Sequence, residues 1–301
     1  MHQITIKNKH IALTVLDYGA IIQKLVIKDK NGNPTNVVVG FEKPEEYLQN
    51  PMYLGACIGR YAGRITNGEF SLEGKKYSLH SEDGVHLHGG KIGFDKKLFT
   101  MDAVHEGENP SVKLSYLSAD LEEGYPGNLA VSLTYKLIAN ELHIIHEATT
   151  DKTTIINLTN HSYFKLDEEP TVKHYELQLD TEGFIETDAK LLPTGKIVSV
   201  KNTQYDFLEA KKIKDIRLDS PFAIKPAKEF GGSAYSKISG IYMRVETNQP
   251  CLVIYTPPTT GSICFETQNY PDAPNHSHFP SSVLKPGEIY KNESVFRFSV
   301  Q

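Results

Sequence analysis

Apolar and polar residues alternate with a period of two along much of this chain. In residues 131–137 every second side chain is apolar, and a similar pattern resumes in residues 142–146 after a turn at 139–141. Because successive side chains of a strand point to opposite faces of a sheet, these two segments predict a β-hairpin. Residues 296–301 alternate as well, which predicts a strand whose apolar face, Val300 included, is buried.

Turn-forming residues separate the strand-like segments at short intervals. Clusters rich in Gly, Pro, Asn or charged residues lie at 30–34, 72–75, 126–128, 193–195 and 285–288. Helical candidates are few, and residues 44–48 could form a turn or two. Many short strands separated by turns predict an all-β fold, a large antiparallel β-sandwich. Because no linker or break in composition divides the chain, residues 1–301 are expected to form a single domain.

The composition fits a chain with a packed core. Hydrophobic residues make up 39% and charged residues 23% of the 301 residues, which argues against wholesale disorder. The formal net charge is −5 and no dense Lys/Arg run occurs, so we expect no nucleic-acid partner. No apolar run approaches the roughly 20 residues needed to cross a bilayer, and the amino terminus has no signal-peptide core, so we expect no membrane partner.

The cysteines also bear on where the protein works. Cys57, Cys251 and Cys264 form no CxxC pair, and they predict free, buried thiols in a reducing compartment. The cytoplasm is therefore the expected location. The sequence leaves the oligomeric state open.

One carboxylate and one imidazole stand where strand-like runs end. Glu266 closes the apolar run 262–265 and precedes a loop dense in amides and proline. His161 follows the apolar run 154–158 in the same way. A strand holds such a side chain on a rigid scaffold, and a carboxylate with an imidazole can serve as general base and general acid.

Other polar motifs have both a structural and a functional interpretation. Residues 59–65 contain Arg60 and Arg64 beside glycines, either as surface charges or as guanidinium groups that reach into a cleft. His86 and His88 alternate on an extended segment, so at most one of them faces a given pocket. Asp219 precedes Ser220 and Pro221, a context that by itself favours a simple turn.

Signatures of several other functions are missing. The pairs His86/His88 and His276/His278 have no third ligand at a recognisable spacing, so we predict no metal site. Residues 231–233 lack the Lys-Ser/Thr of a phosphate-binding loop. Neither a nucleophile elbow nor a dinucleotide-binding glycine motif is found.

Five motifs together resemble, in order, those of the aldose 1-epimerases, also called galactose mutarotases. They occupy residues 59–65, 87–90, 160–164, 218–222 and 266–273. The resemblance implies a galactose mutarotase-like supersandwich with an open cleft for a small-molecule sugar. It also implies that the protein interconverts the α and β anomers of a free aldose. That reaction transfers no electron or chemical group to a carrier, so no cofactor is expected.

The resemblance also implies roles for individual residues. Glu266 matches the general base and His161 the general acid of the family, whereas Arg64, His88 and Asp219 match residues that position the sugar.

The chain departs from the family pattern at three positions. Gly63 stands where many members carry Asn, Ser220 where many carry His, and Tyr270 where Trp is frequent. The preferred sugar therefore stays open between galactose, glucose and the reducing end of a disaccharide such as maltose.

Two alternative functions remain at this stage. A glycoside hydrolase on a sandwich fold needs two carboxylates across the glycosidic bond, and Glu266 with Asp219 could provide them. A non-catalytic sugar-binding or sensor protein could use the same scaffold, because a fold does not determine a function. Sugar binding alone does not require an acid–base pair, which argues against the second alternative.

Overall fold

The computed structural model describes residues 1–224 and 230–301, and the regular structure in them is almost entirely β. The first strands in chain order are β1 (Gln3–Lys7), β2 (Ala12–Leu16), β3 (Ile22–Lys28), β4 (Pro34–Asn36), β5 (Cys57–Ile58), β6 (Arg64–Thr66), β7 (Glu69–Leu72), β8 (Lys75–Ser78), β9 (Val85–Leu87), β10 (Thr100–His105), β11 (Ser111–Ser118), β12 (Leu129–Ile138), β13 (Glu141–Thr150) and β14 (Thr154–Ile155). The following ones are β15 (Thr159–Asn160), β16 (Tyr163–Phe164), β17 (Glu176–Leu179), β18 (Thr181–Thr187), β19 (Pro193–Val198), β20 (Lys211–Lys212), β21 (Asp219–Ile224), β22 (Gly232–Tyr235), β23 (Ile241–Thr247), β24 (Cys251–Tyr255), β25 (Ile263–Gln268), β26 (Val283–Leu284) and β27 (Tyr290–Val300). Short 3₁₀ helices occupy Pro44–Gln49, Phe94–Lys96, Glu122–Gly124 and Ala273–Asn275.

Two large antiparallel sheets form the body of the molecule. The nine-stranded sheet has the order β10-β11-β12-β13-β27-β23-β22-β17-β20, and the six-stranded sheet has the order β16-β25-β24-β21-β18-β19. The main hydrophobic core contains Leu133 and Met243 of the first sheet together with Leu252 and Phe265 of the second. The predicted large antiparallel β-sandwich is therefore confirmed.

The hairpin and the short helix predicted from the sequence are both present. Strands β12 and β13 pair over their whole lengths, from Leu129 opposite Thr150 to Ile138 opposite Glu141. The helix at Pro44–Gln49 covers the predicted segment. In β27 the side chains of Phe296 and Phe298 are buried as predicted.

The prediction for Val300 is wrong. Its side chain is 47% exposed, because β27 ends at this residue and the core no longer covers it.

Arg60 is a buried structural residue rather than a surface charge. Its Nε donates to Ser118 Oγ at 2.7 Å, and its guanidinium donates to the backbone carbonyls of Ser118, Ala119, Tyr125, Pro126 and Gly127. A guanidinium offers five N–H donors, and this site uses them to hold a turn together. Of the two arginines in motif 59–65, only Arg64 is left for a functional site.

The three cysteines are free and buried, as predicted. In the part of the chain that is described, none of the helices has both the length and the apolar character that a membrane crossing needs.

Candidate active site

A cleft lined in part by strands β21, β24 and β25 of the six-stranded sheet contains all five residues singled out in the sequence. Its cavity has a volume of about 210 Å³. Pockets for drug-sized ligands usually measure about 300–1,000 Å³, so this cavity suits one small molecule. The residues that line it are Pro51, Met52, Tyr53, Gly63, Arg64, Leu87, His88, His161, Tyr163, Thr187, Leu191, Asp219, Pro221, Val253, Tyr255, Glu266, Gln268 and Pro271.

Glu266 is held by a strand that lies next to the edge strand of the six-stranded sheet. It lies on β25, which pairs with β24 so that Glu266 stands opposite Val253. Its side chain is almost fully buried, with Oε1 3.5 Å from Nε2 of His161. The pairing with β24 fixes the backbone, and the burial of the side chain leaves this carboxylate little freedom to move.

The backbone around His161 is fixed from both sides. His161 N–H donates to the carbonyl of Ala56 at 2.9 Å, and its own carbonyl accepts from Gly55 N–H at 3.0 Å. The ring stacks against Tyr163, with 5.0 Å between the ring centroids, and Nδ1 lies 3.8 Å from Sγ of Cys264. These contacts leave Nε2 facing Glu266.

Asn292 on β27 connects the chain segments that carry His161 and Glu266. The side-chain amide of Asn292 donates to the carbonyl of Leu158, shortly before His161, at 2.8 Å. The same amide donates to the carbonyl of Thr267, next to Glu266, also at 2.8 Å. Asn292 is fully buried, so it acts as a fixed spacer between the two segments.

Arg64 and Asp219 form an ion pair at the mouth of the cleft. Nη2 of Arg64 lies 3.6 Å from Oδ2 of Asp219, and both side chains are partly exposed. The backbone of Arg64 is fixed by its carbonyl, which accepts from Asp272 N–H at 2.9 Å. The Asp272 carboxylate in turn accepts from the backbone N–H of Thr66, which ties the loop after Glu266 to β6.

His88 faces the cleft, whereas its neighbour His86 is buried elsewhere. His86 contacts the hydroxyl of Tyr125 at 2.5 Å and the carbonyl of His80 at 2.7 Å. The prediction that only one of the two histidines faces the pocket is therefore confirmed. The backbone N–H of Gly63 donates to Nδ1 of His88 at 3.1 Å, so in the neutral ring Nε2 carries the proton.

Burial dominates the proton affinities in the cleft. The pKa of Glu266 is raised to about 8 by burial and by the charge of Asp219, partly offset by Arg64. Burial lowers the pKa of His161 to about 4. The pKa of His88 lies well below its ordinary value because of burial, His161 and Arg64. At neutral pH these shifts leave Glu266 and His161 with one proton between them.

The cleft also holds one set of residues that could bind a metal. Ligand atoms of His88, His161 and Glu266 lie within 4.8 Å of one another, and all three side chains are buried. The prediction of no metal site rested on spacing within single motifs, and these ligands come from three separate motifs. The Gly63 N–H occupies Nδ1 of His88 and favours the tautomer whose Nε2 is protonated, so His88 is better suited to donate to a ligand hydroxyl than to bind a cation.

Several lining residues were not identified from the sequence. Tyr53 packs edge-on against His88 and stacks on His161, with centroid distances of 4.9 and 6.0 Å. Tyr255 and Gln268 lie on the strands that carry the cleft. The alternation of β25 is the signal that could have identified Gln268, because residues two apart on a strand share a face.

The three departures from the family pattern differ in their positions. Gly63 lines the cavity. In the described parts of the chain, Ser220 and Tyr270 are not among the lining residues; Tyr270 packs against Phe279 with 5.0 Å between ring centroids.

Comparison with known proteins gives consistent matches over the whole chain. A family model described as aldose 1-epimerase matches residues 2–297. The galactose mutarotase of Bos taurus is 36% identical over 327 residues, covering 100% of this chain and 94% of the relative. The aldose 1-epimerase of Escherichia coli K12 is 30% identical over 324 residues, covering 97% and 93%.

Solved structures agree with these matches. An aldose epimerase homologue from C. elegans superimposes with a TM-score of 0.94 at 30% identity, covering 99% of each chain. A galactose 1-epimerase from Lactobacillus acidophilus gives a TM-score of 0.88 at 29% identity, covering 99% of this chain and 94% of the other.

Proposed function

This chain belongs to the aldose 1-epimerase family, and we propose that it interconverts the α and β anomers of a free aldose with Glu266 and His161 as its base and acid. The observation that carries the proposal is the buried contact of 3.5 Å between Oε1 of Glu266 and Nε2 of His161. A carboxylate and an imidazole at this distance can act on two neighbouring oxygens of one small ring.

The reaction needs only proton transfers. Glu266 takes the proton of the anomeric hydroxyl while His161 gives a proton to the ring oxygen, and the C1–O5 bond breaks. The open aldehyde turns about C1–C2 and closes again on its other face, with the two roles reversed. Each positioned acid or base typically contributes about 10²–10⁴-fold to such a rate.

The pair must first redistribute its single proton. The reactive form has an ionised Glu266 and a protonated His161, whereas burial favours the neutral form of both groups. Both forms contain the same number of protons, so the exchange needs no proton from the solvent. The mutual attraction of the charged forms favours the reactive arrangement once the sugar fills the cleft.

The surrounding residues support an isomerase more than a glycoside hydrolase. A hydrolase needs a second carboxyl group that is free to transfer a proton or attack the sugar. Asp219 is instead paired with Arg64 at 3.6 Å, which suits a residue that accepts hydrogen bonds from sugar hydroxyls.

A polarimetric assay tests the proposal directly. Fresh α-galactose and α-glucose are each added to protein that has been dialysed against EDTA, and the approach to anomeric equilibrium is followed. We expect acceleration in proportion to enzyme concentration, with no gain when zinc is added back. Absence of acceleration with every free sugar would contradict the proposal. Activity that requires zinc would instead assign His88, His161 and Glu266 to a metal centre, and release of sugar from a glycoside would indicate a hydrolase.

The pH dependence of kcat/KM is expected to be bell-shaped, with limbs near pH 4 and pH 8. Below the lower limb Glu266 and His161 each carry a proton, so no base is available. Above the upper limb neither carries one, so no acid is available. Initial rates from pH 3.5 to 9.5 in overlapping buffers give the profile. Because Glu266 and His161 interact, each limb reports an apparent pKa of the pair and not of one residue. A flat profile over this range would contradict the pKa shifts.

Asp219→Asn and Arg64→Ala are each expected to lower kcat/KM by about a hundredfold, and unequally for galactose and glucose, because a sugar misplaced by ~1 Å reacts far more slowly. The ion pair between them is partly exposed, so the melting temperature should change little. Steady-state polarimetry on both sugars and thermal unfolding provide the two readouts. Asp215→Asn, which changes the exposed ion pair with Lys173, is the matched control. It should leave kcat/KM and the melting temperature unchanged. Unaltered kcat/KM for both sugars would show that Asp219 and Arg64 do not hold the substrate.

A further inference from the structure

Among the described residues, one glutamine in the cleft has no hydrogen-bond partner for either end of its amide. Gln268 is fully buried, yet within residues 1–224 and 230–301 neither its Oε1 nor its Nε2 makes a hydrogen bond. Buried polar atoms are almost always paired, because leaving one unpaired costs about 1–3 kcal/mol. Gln268 lines the cavity, so the missing partner is expected to come from the ligand that fills it.

The strand places this amide beside the proposed base. Glu266 and Gln268 lie two residues apart on β25, so their side chains project from the same face. Thr267 between them points to the other side, where its hydroxyl accepts a hydrogen bond from Ser294 Oγ at 2.7 Å. A molecule held against Glu266 therefore also lies against Gln268.

The space next to the amide is kept open by a glycine. Gly63 has a φ of +80°, and a Cβ built on it would lie 3.2 Å from Nε2 of Gln268. Any side chain at this position would press against the amide or against Pro271, whose Cβ is also 3.2 Å away. Because Gly63 has no side chain, nothing at this position presses against Nε2 of Gln268.

We propose that Gln268 binds one hydroxyl group of the sugar and thereby helps to determine which aldoses the enzyme accepts. This inference rests on the proposed function, since it assigns a further contact to the same cleft. An amide presents a donor and an acceptor side by side, and a hydroxyl group can satisfy both. Neither a purely cationic nor a purely anionic ligand group could do so. The accepted aldose therefore carries a free, unsubstituted hydroxyl at the carbon that meets Gln268.

The test combines an enzyme variant with sugars that lack single hydroxyls. Gln268→Met keeps the length of the side chain but removes both hydrogen-bonding ends. Wild type and variant are assayed by polarimetry on glucose, galactose and their 2-, 3-, 4- and 6-deoxy analogues. Gln178→Met, which makes the same change on β17 of the other sheet and away from the cavity lining, is the matched control and should preserve kcat/KM.

We expect Gln268→Met to lower kcat/KM about tenfold for every sugar that has the contacted hydroxyl, the loss typical of one neutral hydrogen bond. For the one deoxy sugar that lacks this hydroxyl, wild type and variant should be equal. The melting temperature of the sugar-free variant should be unchanged or higher, because an unpaired buried amide has been replaced by an apolar group.

Two results would overturn the inference. One is an equal loss for all sugars, deoxy analogues included, which would make Gln268 a structural residue. The other is unchanged kcat/KM throughout. If Gln268→Met fails to fold, Gln268→Leu takes its place.

Failure of the Gln268 inference can be distinguished from failure of the proposed function. Wild-type activity on glucose and galactose tests that function alone. If the wild type were inactive, calorimetric affinities of the same sugars for wild type and variant would still give the ratio that tests the Gln268 contact.

Discussion

Glu266→Gln is expected to lower kcat by at least about a thousandfold, within the range for loss of a positioned base. The amide has nearly the same size and shape as the carboxyl group, but it cannot accept the proton of the anomeric hydroxyl. Burial raises the pKa of Glu266 to about 8, so the wild-type side chain is mostly neutral at pH 7. The neutral amide should therefore leave the melting temperature and the sugar affinity close to their wild-type values.

Three measurements on one preparation check this expectation: polarimetric turnover, thermal unfolding and calorimetric sugar binding. Glu108→Gln changes an exposed glutamate outside the cleft and is the matched control, which should match wild type in all three. Near wild-type mutarotation by folded Glu266→Gln would remove Glu266 from the mechanism.

His161→Asn should reduce kcat by at least about a hundredfold, as expected for loss of a general acid. Asn keeps some polarity at this position but cannot transfer a proton to the ring oxygen. The ring of His161 also stacks on Tyr163 and Tyr53, so some loss of stability will accompany the substitution. Turnover must therefore be expressed per folded molecule.

A variant of a second buried histidine separates the loss of catalysis from the loss of stability. His146 lies in the core of β13, with neither ring nitrogen hydrogen-bonded in the described structure, and burial lowers its pKa to about 3. His146→Asn should alter the melting temperature while leaving turnover per folded molecule unchanged. If His161→Asn behaves in the same way, its imidazole is structural and the proton donor must be sought elsewhere.

Much of the fold could be predicted from the sequence because strand periodicity is local. The hairpin of β12 and β13 and the helix at Pro44–Gln49 follow from neighbouring residues. The order of strands within the sheets could not be predicted. The pairing of β27 with β13 and β23 depends on contacts between residues far apart in the chain, which no short window of sequence contains.

The same distinction applies to the cleft. The resemblance to a family pointed to five residues, and the structure brings all five into one cavity. The resemblance could not distinguish the structural role of Arg60 from the position of Arg64 in the cleft. The two residues are only four positions apart, and burial of Arg60 depends on carbonyls of residues 118–127. Nor could it predict where the shared proton of Glu266 and His161 rests, since the surrounding burial decides that.

The central place of β27 has a consequence for how the protein is made. Chains grow from the amino end at about 5–20 residues per second, so β13 and β23 are synthesised well before Tyr290–Val300. Until then each has one edge without its final neighbour, and open edges invite pairing with other chains. Asn292, which fixes the segments of His161 and Glu266, arrives with this same strand. The nascent polypeptide is thus more exposed to aggregation until the strand that completes the sheet and aligns the proposed catalytic pair has been added.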